Sequence, residues 1–351
     1  MRPIRAFLCA FVWVPVWAVS VACSDGPVSA PVAVDSLVYV TPEQAGFSSA
    51  ALAEVEEYAE QIGSAAVVAL HDNQVFFAWG EVDRKYLVHS IRKSLLNSLY
   101  GIYVERGTID TAATLAQLDI DDIPPSLTAA EKQARVADLL KSRSGVYHEA
   151  AAESQWMKDN RPSRGSHPPG TYYYYNNWDF NSLGTIFRRE TERSIFYAFK
   201  VEIAEPIGIE SFITTDGRDY YPLELSKHPA YHFRLTAIDL ARYGLLYLRR
   251  GRWSGVQIVP EEWIAASTRT HSALNDTLGY GYGMLWFVIT DDYPYYGPGF
   301  YHTGYGGHML LVLPEDELVI VHRVDTDGPT RVASADIYRL AAMIVNSRGV
   351  N

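Results

Sequence analysis

Residues 90–93 read Ser90-Ile91-Arg92-Lys93, and the segment from Ser90 to Glu105 has the apolar periodicity of a buried helix. Positions i and i+3 of a helix share a face, so the ammonium of Lys93 can approach the hydroxyl of Ser90. Serine is a poor nucleophile until a neighbouring base takes its proton, and a lysine whose pKa is lowered by burial can be that base. The spacing predicts a nucleophilic serine beside its base, although a four-residue pattern alone is a weak signal.

A second group of polar residues precedes another predicted helix, which runs from Asn177 to Glu190. Tyr175 and Asn177 follow a Pro-Gly break at the start of this helix. A phenol near a lysine can carry a proton, and an asparagine amide can orient a substrate carbonyl. The residues alone also allow a second interpretation, in which the tyrosines at 172–175 form an aromatic strip on the surface.

A third group, His302-Thr303-Gly304-Tyr305-Gly306-Gly307, enters a predicted strand near the C-terminal end of the chain. Backbone N–H groups on an edge strand, beside the N–H of a serine at a helix start, can form an oxyanion hole. Glycine lets substrate and backbone approach closely. An ordinary glycine-containing bulge is the alternative interpretation.

In this order, the three groups resemble the motifs of the serine β-lactamase and penicillin-binding-protein superfamily, on its class C, esterase and D,D-peptidase side. The stretch 139–146, Leu-Leu-Lys-Ser-Arg-Ser-Gly-Val, is similar to a further segment of that family, with Ser142 where the family often has histidine. The resemblance implies that Ser90 is the acylated nucleophile, that Lys93 is its partner, and that Tyr175 is a general base and then an acid to the leaving group. Which of Lys93 and Tyr175 takes the first proton stays open, because interacting groups titrate as a unit.

The resemblance also assigns the remaining polar residues of the site. The N–H groups of Ser90 and Tyr305 would form the oxyanion hole, and no metal or organic cofactor is implied. The residues expected to position the substrate are Asn177, His302, Thr303 and Gly304. β-Lactamases usually have lysine at the position of His302, and a mostly neutral histidine binds a substrate carboxylate less strongly, which argues against an efficient β-lactamase.

The order of the predicted elements indicates an α+β fold with two lobes. A helix and two strands near the start of the chain, and strands followed by a helix at its end, predict one antiparallel sheet built from both ends and flanked by helices. The middle, about 107–270, is predicted as an inserted all-helical lobe. The hydrolase domain would span 41–346. The predicted helices are 48–62, 90–105, 177–190, 194–203, 237–249, 260–267 and 335–346, and the predicted strands are 65–70, 74–79, 280–289, 308–313 and 318–324.

The first residues have the pattern of a secretory signal. Residues 1–22 begin with Arg2 and Arg5, continue into an apolar run and end in small residues. The alternative is a membrane-spanning helix, for which the run is short. Cys23 follows a bacterial lipoprotein-like site, so it is a candidate for lipidation, and 23–40 is predicted as a tether. We therefore expect a periplasmic protein or a membrane-anchored lipoprotein.

Composition excludes several other classes of protein. The 351 residues carry a formal net charge of −11, which disfavours nucleic-acid partners because an acidic surface repels phosphates. The two cysteines, Cys9 and Cys23, leave the exported chain without a disulfide or a cysteine nucleophile. His228 and His232 flank Pro229 and are interpreted as loop histidines rather than as a metal pair.

These observations predict an exported serine hydrolase that cleaves an ester or amide of a small molecule or peptide through an acyl-enzyme on Ser90. A D,D-carboxypeptidase or β-lactamase acting on cell-wall peptides or β-lactams is the enzymatic alternative. A catalytically silent penicillin-binding or sensor domain is the alternative of another class. The sequence leaves the natural substrate and the oligomeric state open.

Overall fold

The structure, a computed structural model, describes residues 36–275 and 277–349. The predicted signal at 1–22, Cys23, and the predicted tether up to residue 35 lie outside the described residues. Within the described ranges, no helix is both long and apolar enough to cross a membrane.

Fourteen strands and nine α-helices are found in the described part of the chain. The strands are β1 (Val38–Tyr39), β2 (Ala66–His71), β3 (Gln74–Gly80), β4 (Tyr86–Leu87), β5 (Gly217–Tyr220), β6 (Ala230–Leu235), β7 (Arg252–Trp253), β8 (Val256–Gln257), β9 (Ser272–Asn275), β10 (Tyr280–Tyr282), β11 (Phe287–Ile289), β12 (Gly299–Gly304), β13 (His308–Leu313) and β14 (Leu318–Arg323). The helices are α1 (Ser49–Ile62), α2 (Arg92–Glu105), α3 (Val136–Leu140), α4 (Gln155–Asn160), α5 (Asn177–Thr191), α6 (Ile195–Phe199), α7 (Ala237–Leu248), α8 (Glu261–Ser267) and α9 (Ser334–Asn346).

One nine-stranded sheet combines the two ends of the chain, as predicted, in the order β1-β3-β2-β14-β13-β12-β11-β10-β9. Its neighbours pair antiparallel, except that β1 pairs parallel to β3. The α+β fold class is therefore confirmed. The sheet begins within the stretch predicted as a tether, because Val38 and Tyr39 pair with Gln74 and Val75.

Alternation of side chains along the central strands buries both faces of this sheet. Val68 and Leu310 belong to one apolar core, whereas Ala69 and Leu311 belong to a second core on the opposite face. Successive residues of a strand point to opposite faces, so strands that are apolar throughout require a cover on each side. Helix α7 covers the first face and the paired helices α1 and α9 cover the second.

The helical lobe differs from the prediction in two respects. Helix α7 packs on the sheet, since a Cβ at Gly244 would lie 2.5 Å from Cγ1 of Val319 and 2.9 Å from Cδ1 of Leu310. The predicted lobe boundary at 270 is therefore too late. The region is also not all-helical, because β6 pairs with β5 and with β4 in a separate three-stranded sheet.

The segment 280–289, predicted as one strand, forms a hairpin of β10 and β11. Its turn is closed by a hydrogen bond from the Gly283 N–H to the Trp286 carbonyl, and Leu285 has a φ of 60°. A Cβ at Gly283 would lie 2.0 Å from the carbonyl oxygen of Ser267, so the chain passes too close to α8 for any side chain. The turn was not predicted because the residues around it form a continuous apolar run.

Candidate active site

Ser90 lies in a single 3-10 turn, His89–Ile91, that leads directly into the buried helix α2. Nζ of Lys93 lies 2.7 Å from Oγ of Ser90, within hydrogen-bonding distance. The i to i+3 spacing thus produces the predicted contact. Since the first N–H groups of a helix lack intrahelical acceptors, the N–H of Ser90 can be offered to a ligand.

The surroundings of Lys93 favour its neutral amine. Its side chain is completely buried, and Nζ lies 4.9 Å from the ring centroid of Tyr175 and 4.8 Å from that of Phe180. Burial lowers the pKa of Lys93 well below its usual value, and the guanidinium of Arg92 lowers it further. A neutral amine next to a serine hydroxyl can accept its proton.

Tyr175 faces the same crevice from the loop that precedes α5. Its ring stacks on Phe287 at a centroid distance of 5.6 Å and lies 6.3 Å from the ring of His302. Burial raises the pKa of this phenol, while a hydrogen bond with Ser90 and the charge of Arg92 lower it by less. The surface-strip interpretation is therefore wrong for Tyr175, which is a neutral proton donor at neutral pH; Tyr172 is exposed.

His302 is a buried, neutral member of strand β12. Burial is the main cause that lowers its pKa to about 3. Its Nδ1 lies 2.8 Å from the carbonyl oxygen of Thr303, so the ring proton sits on Nδ1. Nε2 is buried without a hydrogen-bond partner and, in this tautomer, can only accept. Histidine here supplies no permanent positive charge, in agreement with the sequence analysis.

The end of strand β12 abuts the turn that carries the serine. A Cβ at Gly304 would lie 2.6 Å from the carbonyl oxygen of Val88, so only glycine permits this approach. Tyr305 follows at the rim with 61% of its surface exposed. Gly306 and Gly307 have φ values of 88° and 106° and form the turn from β12 to β13 rather than a bulge.

Asn177, the first residue of α5, presents an acceptor to the site. Its Nδ2 donates to the carbonyl oxygens of Ala151 and Ala152, while Oδ1 is buried without a hydrogen-bond partner. A substrate N–H or hydroxyl could satisfy this oxygen, because a buried unpaired acceptor costs free energy. The site therefore offers polar atoms from three distant parts of the sequence.

Comparison with known proteins identifies the family. The family model described as Beta-lactamase matches residues 51–343. The chain belongs to the β-lactamase family. A comparison with curated protein sequences finds no match.

Solved structures of the serine β-lactamase and penicillin-binding-protein superfamily share this fold. A penicillin-binding-protein homologue from Caulobacter crescentus has a TM-score of 0.64 at 18% identity, covering 88% of this chain and 98% of its own. A Bacillus anthracis protein proposed to be a 6-aminohexanoate-dimer hydrolase has a TM-score of 0.60 at 18% identity, covering 83% and 80%. A penicillin-binding protein from Bacillus halodurans has a TM-score of 0.61 at 15% identity, covering 82% and 98%.

In this β-lactamase family chain, the crevice over the serine is a small cavity of about 60 Å³. Four of its lining residues belong to the predicted site, namely Ser90, Lys93, Asn177 and Tyr305. The other four were not predicted: His89, Arg92, Ala152 and His232. A larger groove of about 870 Å³ lies between α2 and α8, and no predicted site residue lines it.

Two histidines of this cavity were not among the predicted site residues. His232 was interpreted as a loop residue, but it lies in strand β6, and its pKa is lowered to about 3 by burial and then by Arg92. His89 adjoins the serine, which is the one signal that could have singled it out. Among the described residues, no three histidine, cysteine or acidic side chains are grouped to hold a metal ion.

Proposed function

We propose that this protein is a serine hydrolase that cleaves an ester or amide through an acyl-enzyme on Ser90. The observation that carries the proposal is the 2.7 Å contact between Nζ of Lys93 and Oγ of Ser90 inside a buried site. Burial lowers the pKa of the amine and keeps it uncharged, so its lone pair can take the hydroxyl proton as Oγ attacks.

In the first half of the reaction, Oγ of Ser90 bonds to the substrate carbonyl carbon and its proton passes to Lys93. The N–H groups of Ser90 and Tyr305 stabilise the negative oxygen that forms. Tyr175, kept neutral by burial, gives its proton to the leaving alcohol or amine as the bond to carbon breaks. Lys93 then returns its proton to the phenolate of Tyr175, whose ring centroid lies 4.9 Å from Nζ.

In the second half, water replaces the leaving group at the acyl carbon. The same neutral amine accepts a proton from that water, and Oγ of Ser90 recovers a proton as the acyl group departs. Asn177 and the unpaired Nε2 of His302 hold the substrate by accepting hydrogen bonds. Gly304 permits the close approach of strand β12 to the turn that carries Ser90, and Thr303 precedes it in the same strand.

The neutral His302 favours esters and uncharged amides over substrates that need a fixed cation at that place, as a β-lactam carboxylate would. A D,D-carboxypeptidase or β-lactamase is the second candidate, supported by the penicillin-binding-protein homologues among the similar folds. A silent penicillin-binding or sensor domain would not require a nucleophile, a base and a proton donor together.

The proposal also includes export of the protein. We infer from the sequence pattern that residues 1–22 are removed and that Cys23 receives a lipid or becomes the first residue of a periplasmic protein. Mass spectrometry of the mature amino terminus tests this directly. A chain that retains Met1 in cells of its natural host would contradict it.

Covalent labelling tests the chemistry. A fluorescent fluorophosphonate, followed by peptide mapping, is expected to label Ser90, and Ser90→Ala is expected to abolish both labelling and p-nitrophenyl-ester turnover without lowering the melting temperature. Ser166→Ala is the matched control, because Ser166 is exposed and does not line the cavity. Labelling at another serine, or undiminished turnover in Ser90→Ala, would refute the assignment. A fluorescent penicillin that labels Ser90 and leaves slowly would favour the cell-wall alternative.

A further inference from the structure

His89, the residue before the proposed nucleophile, has a backbone conformation that is rare for a side-chain-bearing residue. Its φ is 49°, in the left-handed region. The side chain lines the cavity over Ser90, and its ring lies 5.6 Å from that of Tyr305 at the rim. Such a conformation persists only where surrounding contacts hold it.

A series of side-chain hydrogen bonds connects this histidine to Arg323. Nε of Arg323 donates to Nδ1 of His308 over 3.1 Å. Nε2 of His308 lies 3.4 Å from Oγ1 of Thr326, which in turn lies 2.8 Å from Nε2 of His89. Arg323 is fixed in place, since its two Nη atoms donate to backbone carbonyls at the ends of β4 and β6.

The chemistry of these groups fixes where each proton lies. Arginine only donates, so Nδ1 of His308 accepts and the proton of this neutral ring is on Nε2. Oγ1 of Thr326 accepts from that Nε2, and among the described residues Nε2 of His89 is the one acceptor within reach of its hydroxyl proton, so we assign this proton to the bond with His89. The proton of His89 is therefore on Nδ1. No protein partner of Nδ1 is found within the described residues.

The charges around His89 keep the ring neutral. Burial and the positive charges of Arg323 and Arg331 lower its pKa to about 4, and Asp327 opposes them by less. At neutral pH this ring, which belongs to a residue that lines the cavity, therefore carries one N–H and no charge.

We infer that His89 is a substrate-binding residue that donates a hydrogen bond from Nδ1–H to an acceptor oxygen of the acyl substrate at Ser90. Arg323, His308 and Thr326 are positioning residues, because they fix the tautomer that makes the donor available. The ligand class is an uncharged or partly charged oxygen next to the reacting carbon, as in esters, amides and phosphonates. This inference rests on the proposed function for the reaction, but the tautomer itself does not.

Two substitutions at His89 distinguish Nδ1, the nitrogen proposed to donate to the substrate, from Nε2, the nitrogen that contacts Thr326. The amide nitrogen of asparagine reaches the place of Nδ1, whereas that of glutamine reaches the place of Nε2. We expect His89→Gln to lose roughly ten-fold in kcat/KM for a p-nitrophenyl ester, about the effect of one hydrogen bond, and His89→Asn to lose clearly less. Equal losses, or the reverse order, would overturn the inference. Because asparagine also tolerates a positive φ better, melting temperatures of both variants are needed to compare their folding.

A second pair of variants, at Thr326, tests the same inference and leaves His89 unchanged. Thr326→Val removes the hydroxyl and frees the ring to exchange tautomers, whereas Thr326→Ser keeps it. We expect the valine variant to lose at least three-fold in kcat/KM relative to the serine variant, at equal melting temperature. Identical kinetics in the two variants would show that the hydrogen bonds through Thr326 do not affect catalysis at the site.

Nitrogen-15 NMR of the histidine side chains in the wild-type chain reads the tautomer without any substrate, with His89→Gln identifying the signal. A proton on Nδ1 is expected, and a proton on Nε2 would overturn the inference even if the hydrolase activity is confirmed. Conversely, a wild-type chain that fluorophosphonate does not label at Ser90 would defeat the proposed function and leave the measured tautomer standing.

Discussion

Arg92 and Lys93 are two adjacent basic residues that are both buried and have no acidic hydrogen-bond partner within the described part of the chain. The guanidinium of Arg92 lies 4.3 Å from the ring centroid of Tyr231 and donates to Oδ1 of Asn181, while its Nη1 has no partner. Guanidinium keeps its proton far more strongly than ammonium does. The lysine is therefore the residue that gives up its charge, which suits it to act as a base.

Replacing Arg92 should therefore change the pH dependence of the reaction. Without the guanidinium, the pKa of Lys93 rises, so a higher pH is needed to form the neutral amine, and the acidic limb of kcat/KM moves to higher pH. A pH–rate profile of Arg92→Gln with an uncharged ester measures this shift. Arg92→Lys, which retains a positive charge, is the matched control and should shift less. A limb that stays in place or moves to lower pH would contradict the electrostatic role of Arg92.

At the scale of elements, the contact between α7 and the sheet depends on a residue without a side chain. At Gly244, an added methyl would meet Val319 and Leu310, both in the sheet core. We expect Gly244→Ala to destabilise the fold by about 1–3 kcal/mol from overpacking, which exceeds a gain in helix propensity of about 1 kcal/mol. Urea denaturation measures the difference. Gly328→Ala is the control, since a Cβ there meets only one atom, at 4.0 Å; equal stability of the two variants would refute the packing argument.

Elements that carry their own periodicity could be predicted from the sequence. Helix α1 is one example: it begins after Ser48, whose Oγ accepts from the N–H of Ala51, and it ends at Gly63 in the left-handed conformation. Strands β13 and β14 are others, because each contains a continuous apolar run and a short turn joins them.

Elements fixed by distant partners could not be predicted in this way. Strand β4 of the small sheet is one case, because it is very short and its partner β6 is far away in sequence. The candidate site divides similarly. Its three motifs were recognisable, but His89 and His232 enter the cavity only through the geometry of the turn and of β6.

For the whole molecule, buried histidines predict a loss of stability in mild acid. The pKa values of His302 and His232 are lowered to about 3 and that of His322 to about 4, mainly by burial. Below pH 6.5 the unfolded chain binds protons that the folded chain refuses until pH 3–4, so the free energy of unfolding falls as pH falls through this window.

Each such histidine contributes a slope of about 1.4 kcal/mol per pH unit within that window. Urea denaturation between pH 7 and pH 4 measures the total. His322→Gln, which replaces a histidine outside the cavity lining, should reduce the slope of the pH dependence, although it also removes a bond to Ser64. A stability that is constant over this range would show that these rings are protonated in the folded protein.

Because β2 is completed by β14, the order of synthesis has a consequence for how the chain acquires its fold. His71 pairs with Leu318, so the early hairpin of β2 and β3 leaves the ribosome long before its central neighbour exists. A nascent chain therefore cannot close its main sheet until the last strand emerges, and long-range pairing of this kind is slow. Chains that stop before Leu318 would expose an apolar strand edge and become substrates for proteases and chaperones.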